Sequence, residues 1–270
     1  MLRIRSLQKT FLPGTPNAVA ALCSVDLDIE DGCFAGIIGT NGSGKSTLLN
    51  AVAGTFLPDG GTIELAGQDI TSWPEHRRAA LIGRVFQNPF AGTAAEMTIA
   101  ENLVLAQRRG HPRGLGIALR RGVRAGLRDR VRTLNMGLED RLDNPIGTLS
   151  GGQRQALTLL MATWCRPKLL LLDEHTAALD PKSAAQVAVL TQEIIARERL
   201  TALMVTHSMQ QAVQLPQRII MMHRGAVVED YREERKARVR VADLMHAFDR
   251  VRRHDLFDAA VAEVVGPQYA

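Results

Sequence analysis

The stretch FAGIIGTNGSGKSTLLNAVAG sets glycines, a lysine and hydroxyls in a fixed order: Gly39, four further residues, then Gly44-Lys45-Ser46-Thr47. These residue types suit a polyanion. Glycines let a backbone wrap tightly, so that the N–H groups around Asn41, Gly42 and Ser43 can turn inward on phosphate oxygens. Lys45 can reach the β- and γ-phosphates of a nucleotide, and the Ser46 hydroxyl can ligate Mg²⁺. Phe34–Ile38 before the loop has strand character, and Leu48, Leu49 and Val52 after it follow helical spacing. A helix starting there points its positive dipole end at the same anion.

A second group of residues could complete such a site. Leu169–Leu172 reads as a strand buried on both faces, and Asp173 and Glu174 emerge at its C-terminal end, where open α/β sheets bind ligands. Asp173 is placed to hold Mg²⁺, directly or through water, and Glu174 to polarise an attacking water. Ala202–Val205 is another strand, ending in Thr206-His207. His207 there either orients a terminal phosphate or is an ordinary satisfied polar residue. Gln87, after the short apolar strand in GRVFQNPF, is a candidate contact to metal or water. Leu149-Ser150-Gly151-Gly152-Gln153 is a turn-like pentad at the start of a helical pattern, and adds hydroxyl and amide donors.

These residues need strands to end together and helices to begin beside them. The chain has 270 residues, 46% of them hydrophobic and 23% charged, enough for one domain with a buried core. No apolar run approaches the roughly 18 residues of a membrane span. MLRIRSLQKT lacks the apolar core and cleavage site of a signal peptide. Three cysteines, Cys23, Cys33 and Cys165, form no CxxC pair, which predicts reduced thiols acting as small core residues. Much of the net charge of +5 comes from arginines in residues 108–132. That run reads as a solvated helical face, or as a docking surface for anionic lipid or an acidic partner. Nucleic acid is not expected, because aromatics make up only 4% of the chain and none interleave the run. Thr98-Ile-Ala-Glu101 has a capping-box pattern. GHPRGLG reads as a loop, RDRVRTLNMGL as the next helix and DLFDAAVAEVV as a last helix.

With these pieces in order, the chain resembles the ABC-type ATPases, the nucleotide-binding subunits of ATP-driven membrane transporters. The likeness runs from about Leu2 to about Phe248, and LSGGQ is its most specific element. It implies an α/β fold: a P-loop NTPase core with a mostly parallel sheet, an antiparallel β portion near the N-terminus and an inserted helical sub-domain. One ABC ATPase domain would span 1–270, with its core at about 1–88 and 166–230, the helical part at about 89–165 and a helical tail at about 231–270. The resemblance makes Gly39 to Thr47 the phosphate loop and Gln87 the Q-loop glutamine. Ser150 to Gln153 become the signature, Asp173 the Walker B aspartate and Glu174 the catalytic glutamate. Asp180 becomes the D-loop aspartate, His207 the switch histidine, and Phe11 the aromatic that stacks on adenine, with a plain strand-end aromatic as the alternative.

In such proteins two copies pair head to tail, and the signature of one closes over the ATP of the other. The resemblance therefore implies ATP and Mg²⁺, a homodimer or a related paired ATPase, a transmembrane permease and a solute-binding protein. It places the chain at the cytoplasmic face of the inner membrane. DEHTAALD departs from the more frequent DEPTSALD, with His175 in place of proline and Ala178 in place of the D-loop serine. That wording resembles a bacterial branch serving importers of small organic solutes such as amino acids. A soluble single-cassette assembly or repair ATPase and an exporter subunit are the alternatives. Long heptad segments, a second cassette and NKxD are missing, which disfavours repair-type and translation-type relatives and simple GTPases.

Overall fold

The computed structural model describes residues 1–111 and 121–251. The chain opens with β1 (Leu2–Phe11), β2 (Val19–Ile29), β3 (Phe34–Gly39), α1 (Lys45–Ala53), β4 (Gly60–Leu65) and β5 (Gln68–Asp69). There follow α2 (Glu75–Arg78), β6 (Ile82–Val85), α3 (Ile99–Gln107), α4 (Arg121–Arg132), a 3₁₀ turn (Ile146–Thr148) and α5 (Gly151–Thr163). The last part holds β7 (Leu169–Asp173), α6 (Pro181–Glu198), β8 (Ala202–Val205), α7 (Met209–Gln214), β9 (Arg218–His223), β10 (Ala226–Tyr231) and α8 (Glu233–Arg238). Residues 241–251 are helical.

Six strands form one sheet in the order β10-β9-β3-β8-β7-β6, and four form another in the order β2-β1-β4-β5. The second sheet is antiparallel throughout. In the first, β6, β7, β8, β3 and β9 run parallel, and only β10 turns back on β9. The expected α/β class is therefore met. The antiparallel β9–β10 edge was not foreseen, because a short hairpin after a parallel strand leaves no periodicity of its own.

Leucine and valine alternate between two cores at the strand period of two. Leu170, Leu172, Ala202 and Met204 face α3, α4 and α5. Leu169, Leu171, Leu203 and Val205 face α1 and the antiparallel sheet. All eight are fully buried, and burying each of the larger side chains is worth about 1.5–3 kcal/mol. This explains why LLLLD has no polar face.

In the helical part, Thr98 caps α3 with the expected reciprocal box to Glu101. The next helix begins before RDRVRTLNMGL and stops at Arg132. Leu134 and Leu138 still reach the core, but from the segment after the helix. Arginines of α4 meet acids nearby: Arg124 pairs with Asp143, Arg128 lies 3.7 Å from Asp140 and Arg132 3.3 Å from Asp129. Arg130 sits 4.4 Å over the Trp164 ring. The chain thus supplies much of this helix's counter-charge itself. Most of GHPRGLG and the expected last helix in DLFDAAVAEVV lie outside the described residues. The cysteines correct an expectation: all three thiols are free, but Cys23 is exposed and Cys33 and Cys165 only half-buried. They sit at strand and helix edges, where a small side chain costs no core volume.

Among the polar residues inside the protein is Arg78. It is completely buried. Its Nε donates to Trp73 O at 2.8 Å, and its two terminal nitrogens donate to Ala51 O (2.6 Å), Val52 O (3.0 Å) and Thr71 O (2.8 Å). Ala51 and Val52 carry carbonyls of the last turn of α1, which an α-helix cannot satisfy internally. The guanidinium therefore closes the helix that the glycine loop opens, at the end where its dipole favours a cation. Burial lowers the Arg78 pKa, with Asp69 acting in the opposite sense. Arg78→Leu should cost about 2–4 kcal/mol in urea unfolding, because the carbonyls lose their donor.

Candidate functional site

The glycine loop between β3 and α1 is held from several sides. Gly44 has φ 96°, a conformation side chains resist, and a Cβ there would collide with Ala21 O of β2. A Cβ on Gly39 would collide with Met222 O of β9 and with Ser43 Oγ. Gly225 ties the loop to β2, with Gly225 N donating to Ser43 O (3.1 Å) and Cys23 N donating to Gly225 O (2.8 Å). Lys45 is almost wholly buried, and its Nζ donates to Gly39 O and Thr40 O, both at 2.9 Å. Burial lowers the Lys45 pKa, while the carboxylates of Glu174 and Asp173 act to raise it. Asn41, Gly42 and Ser46 are exposed and Thr47 half-buried, so the outer rim of the loop is open to a ligand.

The acids emerge where β7 ends. Asp173 pairs with Val205 of β8, and Glu174 N donates to Val205 O at 3.0 Å. Glu174 then takes φ 45°, in the left-handed region. A non-glycine residue held there costs of order 1–3 kcal/mol, and this turn redirects its side chain. His207 answers it from the next strand: its Nε2 lies 2.7 Å from Glu174 Oε1. Glu174 is 12% exposed and His207 46%, so the pair has a sheltered and an open end. Lys45, Asp173, Glu174 and His207 thus share one sheet edge. The loop rim and this edge offer an anion amides, an ammonium group and a hydroxyl, and offer a metal the Ser46 hydroxyl and the Asp173 carboxylate. That donor set fits a nucleotide phosphate and a hard divalent cation.

The LSGGQ pentad lies elsewhere, at the start of α5. Ser150 caps the helix: its hydroxyl accepts from Gln153 N, and the Gln153 side chain accepts from Ser150 N, both at 3.3 Å. This helix start packs on the start of α6. A Cβ on Gly152 would come within 2.6 Å of Ser183 Cβ and Oγ, and one on Gly151 within 3.4 Å of Leu179. Asp180 caps α6 by accepting from Ser183 N at 3.1 Å, and its hydrogen bonds to Ser183 lower its pKa. Ser150 remains exposed. Gln87 is exposed in the bend after β6. Phe11 ends β1, 38% exposed, edge-on to Phe56 at 5.3 Å. It pairs with Val19, two residues before the Ala21 that touches the loop.

Several residues that organise this site escaped the sequence reading. Gln155, completely buried, donates from Nε2 to Phe86 O (2.9 Å) and His175 O (2.8 Å). It thereby links the segments after β6 and β7 to α5. Gln211 bonds the Thr176 and Thr206 hydroxyls, joining the segments after β7 and β8. Arg84 lies 3.3 Å from Asp173. A lone glutamine within an apolar helix face was the only available signal for Gln155.

Residues 22–177 match the family model described as ABC transporter. The tyrosine transport ATP-binding protein of Clostridioides difficile is 42% identical over 251 residues, 92% of this chain and 99% of that protein. The lipoprotein-releasing system ATP-binding protein LolD of a Ruegeria species is 34% identical, covering 84% of this chain and 97% of that one. Among solved structures, a dimeric ATP-binding cassette in a post-hydrolysis state, bound to ADP and Pi, superposes with a TM-score of 0.73. It is 26% identical and covers 86% of this chain and 98% of its own.

His175 has no place in the reacting edge. It is completely buried, and its Nε2 lies 3.0 Å from Thr191 Oγ1. Because the Thr191 hydroxyl donates to Val187 O at 2.7 Å, it accepts from a histidine protonated at Nε2. Burial pushes the His175 pKa down to about 4. The unfolded chain, with an ordinary histidine pKa of about 6.5, takes up the proton first, so acid favours unfolding. Stability should be independent of His175 above that value, and should fall by up to about 3 kcal/mol as pH drops toward 4. His175→Gln should flatten the loss across that window in denaturant titrations at stepped pH.

Proposed function

The chain belongs to the ATP-binding subunits of ABC transporters, and on that premise we propose that it powers import of a small organic solute such as an amino acid. It is an ATPase whose activity is coupled to transport. The observation that carries the site assignment is the Glu174–His207 pair at 2.7 Å, set at the sheet edge that also holds Lys45 and Asp173. Asn41 to Thr47 bind the phosphates, and Phe11 stacks on the adenine. Ser46, Asp173 and Gln87 would hold Mg²⁺, which neutralises phosphate charge when bound. Glu174 orients the attacking water, and His207 fixes that carboxylate while facing the γ-phosphate.

Ser150, Gly151, Gly152 and Gln153 serve a second copy. They stand exposed or half-exposed at a helix start, apart from Gly152, which is buried on Ser183, and helix starts favour anions. The related solved cassette is dimeric, which supports a head-to-tail pair with each nucleotide between two chains, Asp180 lying at the same junction. ATP then closes the dimer and loss of the γ-phosphate opens it, because that group contacts both chains only while it is attached.

The partner is a transmembrane permease, with a solute-binding protein on the far side and this chain peripheral on the cytoplasmic face. Among the described residues no helix is long and apolar enough to cross a membrane. A cleft of about 900 Å³ beside Phe86, lined in part by His76, Leu105, Arg108 and Met161, is the face we assign to the permease. The amino-acid solute follows the relative named for tyrosine transport, 42% identical, and the inward direction follows relatives named for methionine import and phosphonates import, 33% and 36% identical. The lipoprotein-releasing relative, 34% identical, carries the second reading, a subunit working outward.

Glu174→Gln should keep ATP affinity within about twofold and lower turnover at least about 100-fold, with dimers accumulating in gel filtration with ATP. Unchanged turnover would remove Glu174 from its role. Affinity capture of the tagged chain from gently solubilised membranes should recover a permease and a solute-binding protein. Recovery of a permease with an outer lipoprotein carrier would instead favour outward transport.

A further inference from the structure

Arg84, third residue of β6, stands opposite Leu171 in the parallel register with β7. Its guanidinium spans two elements. One terminal nitrogen lies 2.6 Å from Asn50 Oδ1 on α1 and 3.3 Å from Asp173 Oδ2, and the other lies 3.2 Å from Thr55 Oγ1. The guanidinium also covers the Phe86 ring at 4.6 Å. Asn50 follows Ser46 by one helical turn, on the same face of α1. Arg84 thus joins the helix that carries Ser46 to the strand that carries Asp173.

The contacts are unequal. The short one goes to Asn50, and the one to Asp173 is longer and reaches a single oxygen. Arg84 is therefore fixed mainly from α1 and Phe86, and it faces the carboxylate as a standing positive charge. The two side chains are only 15% and 18% exposed, so water and salt screen that charge poorly. A divalent cation approaching Asp173 meets it.

We propose that Arg84 is a positioning residue and resident counter-cation for Asp173, which disfavours a bare divalent ion there and makes metal binding depend on the nucleotide's phosphates. The proposal rests on the reading that Asp173 is a metal-holding residue. Phosphate charge offsets the guanidinium, so the metal enters with ATP rather than ahead of it. Glutamine at 84 removes the charge while keeping a hydrogen-bonding side chain, and lysine keeps the charge without the fork.

The test is a Mn²⁺ titration of the full-length, nucleotide-free protein, with free ion counted by electron paramagnetic resonance. Wild type should show no site that depends on Asp173. Arg84→Gln should gain a Mn²⁺ site that is lost in the double variant with Asp173→Asn, and Arg84→Lys should, like wild type, show none. An Asp173-dependent Mn²⁺ site in wild type would overturn the proposal without any variant at Arg84. So would unchanged or weaker binding by folded Arg84→Gln. Separately, Asp173→Asn should weaken binding of ATP with Mg²⁺ but not of ATP in a chelator. Equal affinities there would sink the metal assignment of Asp173 itself.

Discussion

Parallel pairing of β7 with β8, Asp173 against Val205, is the constraint on which the chemistry depends. It brings two loops out at one edge, so that a carboxylate from one and an imidazole from the other can meet. β3 beside β8 brings the glycine loop to the same edge. Shift one strand by a residue and each side chain changes faces. Leucines lie on both faces of β7, so what such a slip costs is a charge in the core: it draws Lys168 or Asp173 toward positions that Leu169–Leu172 fill. The site is thus aligned where the apolar run of β7 gives way to its first carboxylate.

Polar groups inside the protein refine that alignment. Gln155 and Gln211 each bridge segments that leave different strands, and Arg78 closes the end of α1 opposite the loop. Every one of these groups would be costly to bury unpaired. Paired, they allow few alternative arrangements of the strand ends. The left-handed turn at Glu174 belongs to the same scheme, since its backbone strain is held by a hydrogen bond to the neighbouring strand.

What could be read in the sequence was what chemistry makes local. The glycine loop, the acids after four leucines and the pentad at a helix start each carry their reason within a few residues. Strand limits at Ala202–Val205 and the Thr98 cap followed from period and capping. Arg84, Gln155 and Arg78 could not be read that way, because the contacts that give them their roles, to Asp173, His175 and Ala51, lie 89, 20 and 27 positions away. The limits of helix α4 are not legible in the sequence, because its arginines conceal the apolar stripe and Leu134 and Leu138 continue it beyond the last turn. Residue type alone predicts core cysteines, whereas an edge strand or helix end accepts a small thiol equally well.

The contact between Gly152 and Ser183 links two positions that the sequence keeps 31 apart. Any side chain at 152 needs space that only a glycine at 183 could yield, in the first turn of α6, where glycine weakens a helix by about 1 kcal/mol. Variation at these two positions is therefore coupled. In a set of related chains, position 152 should remain glycine for as long as position 183 carries a side chain, even though residue 183 itself touches no phosphate in this scheme.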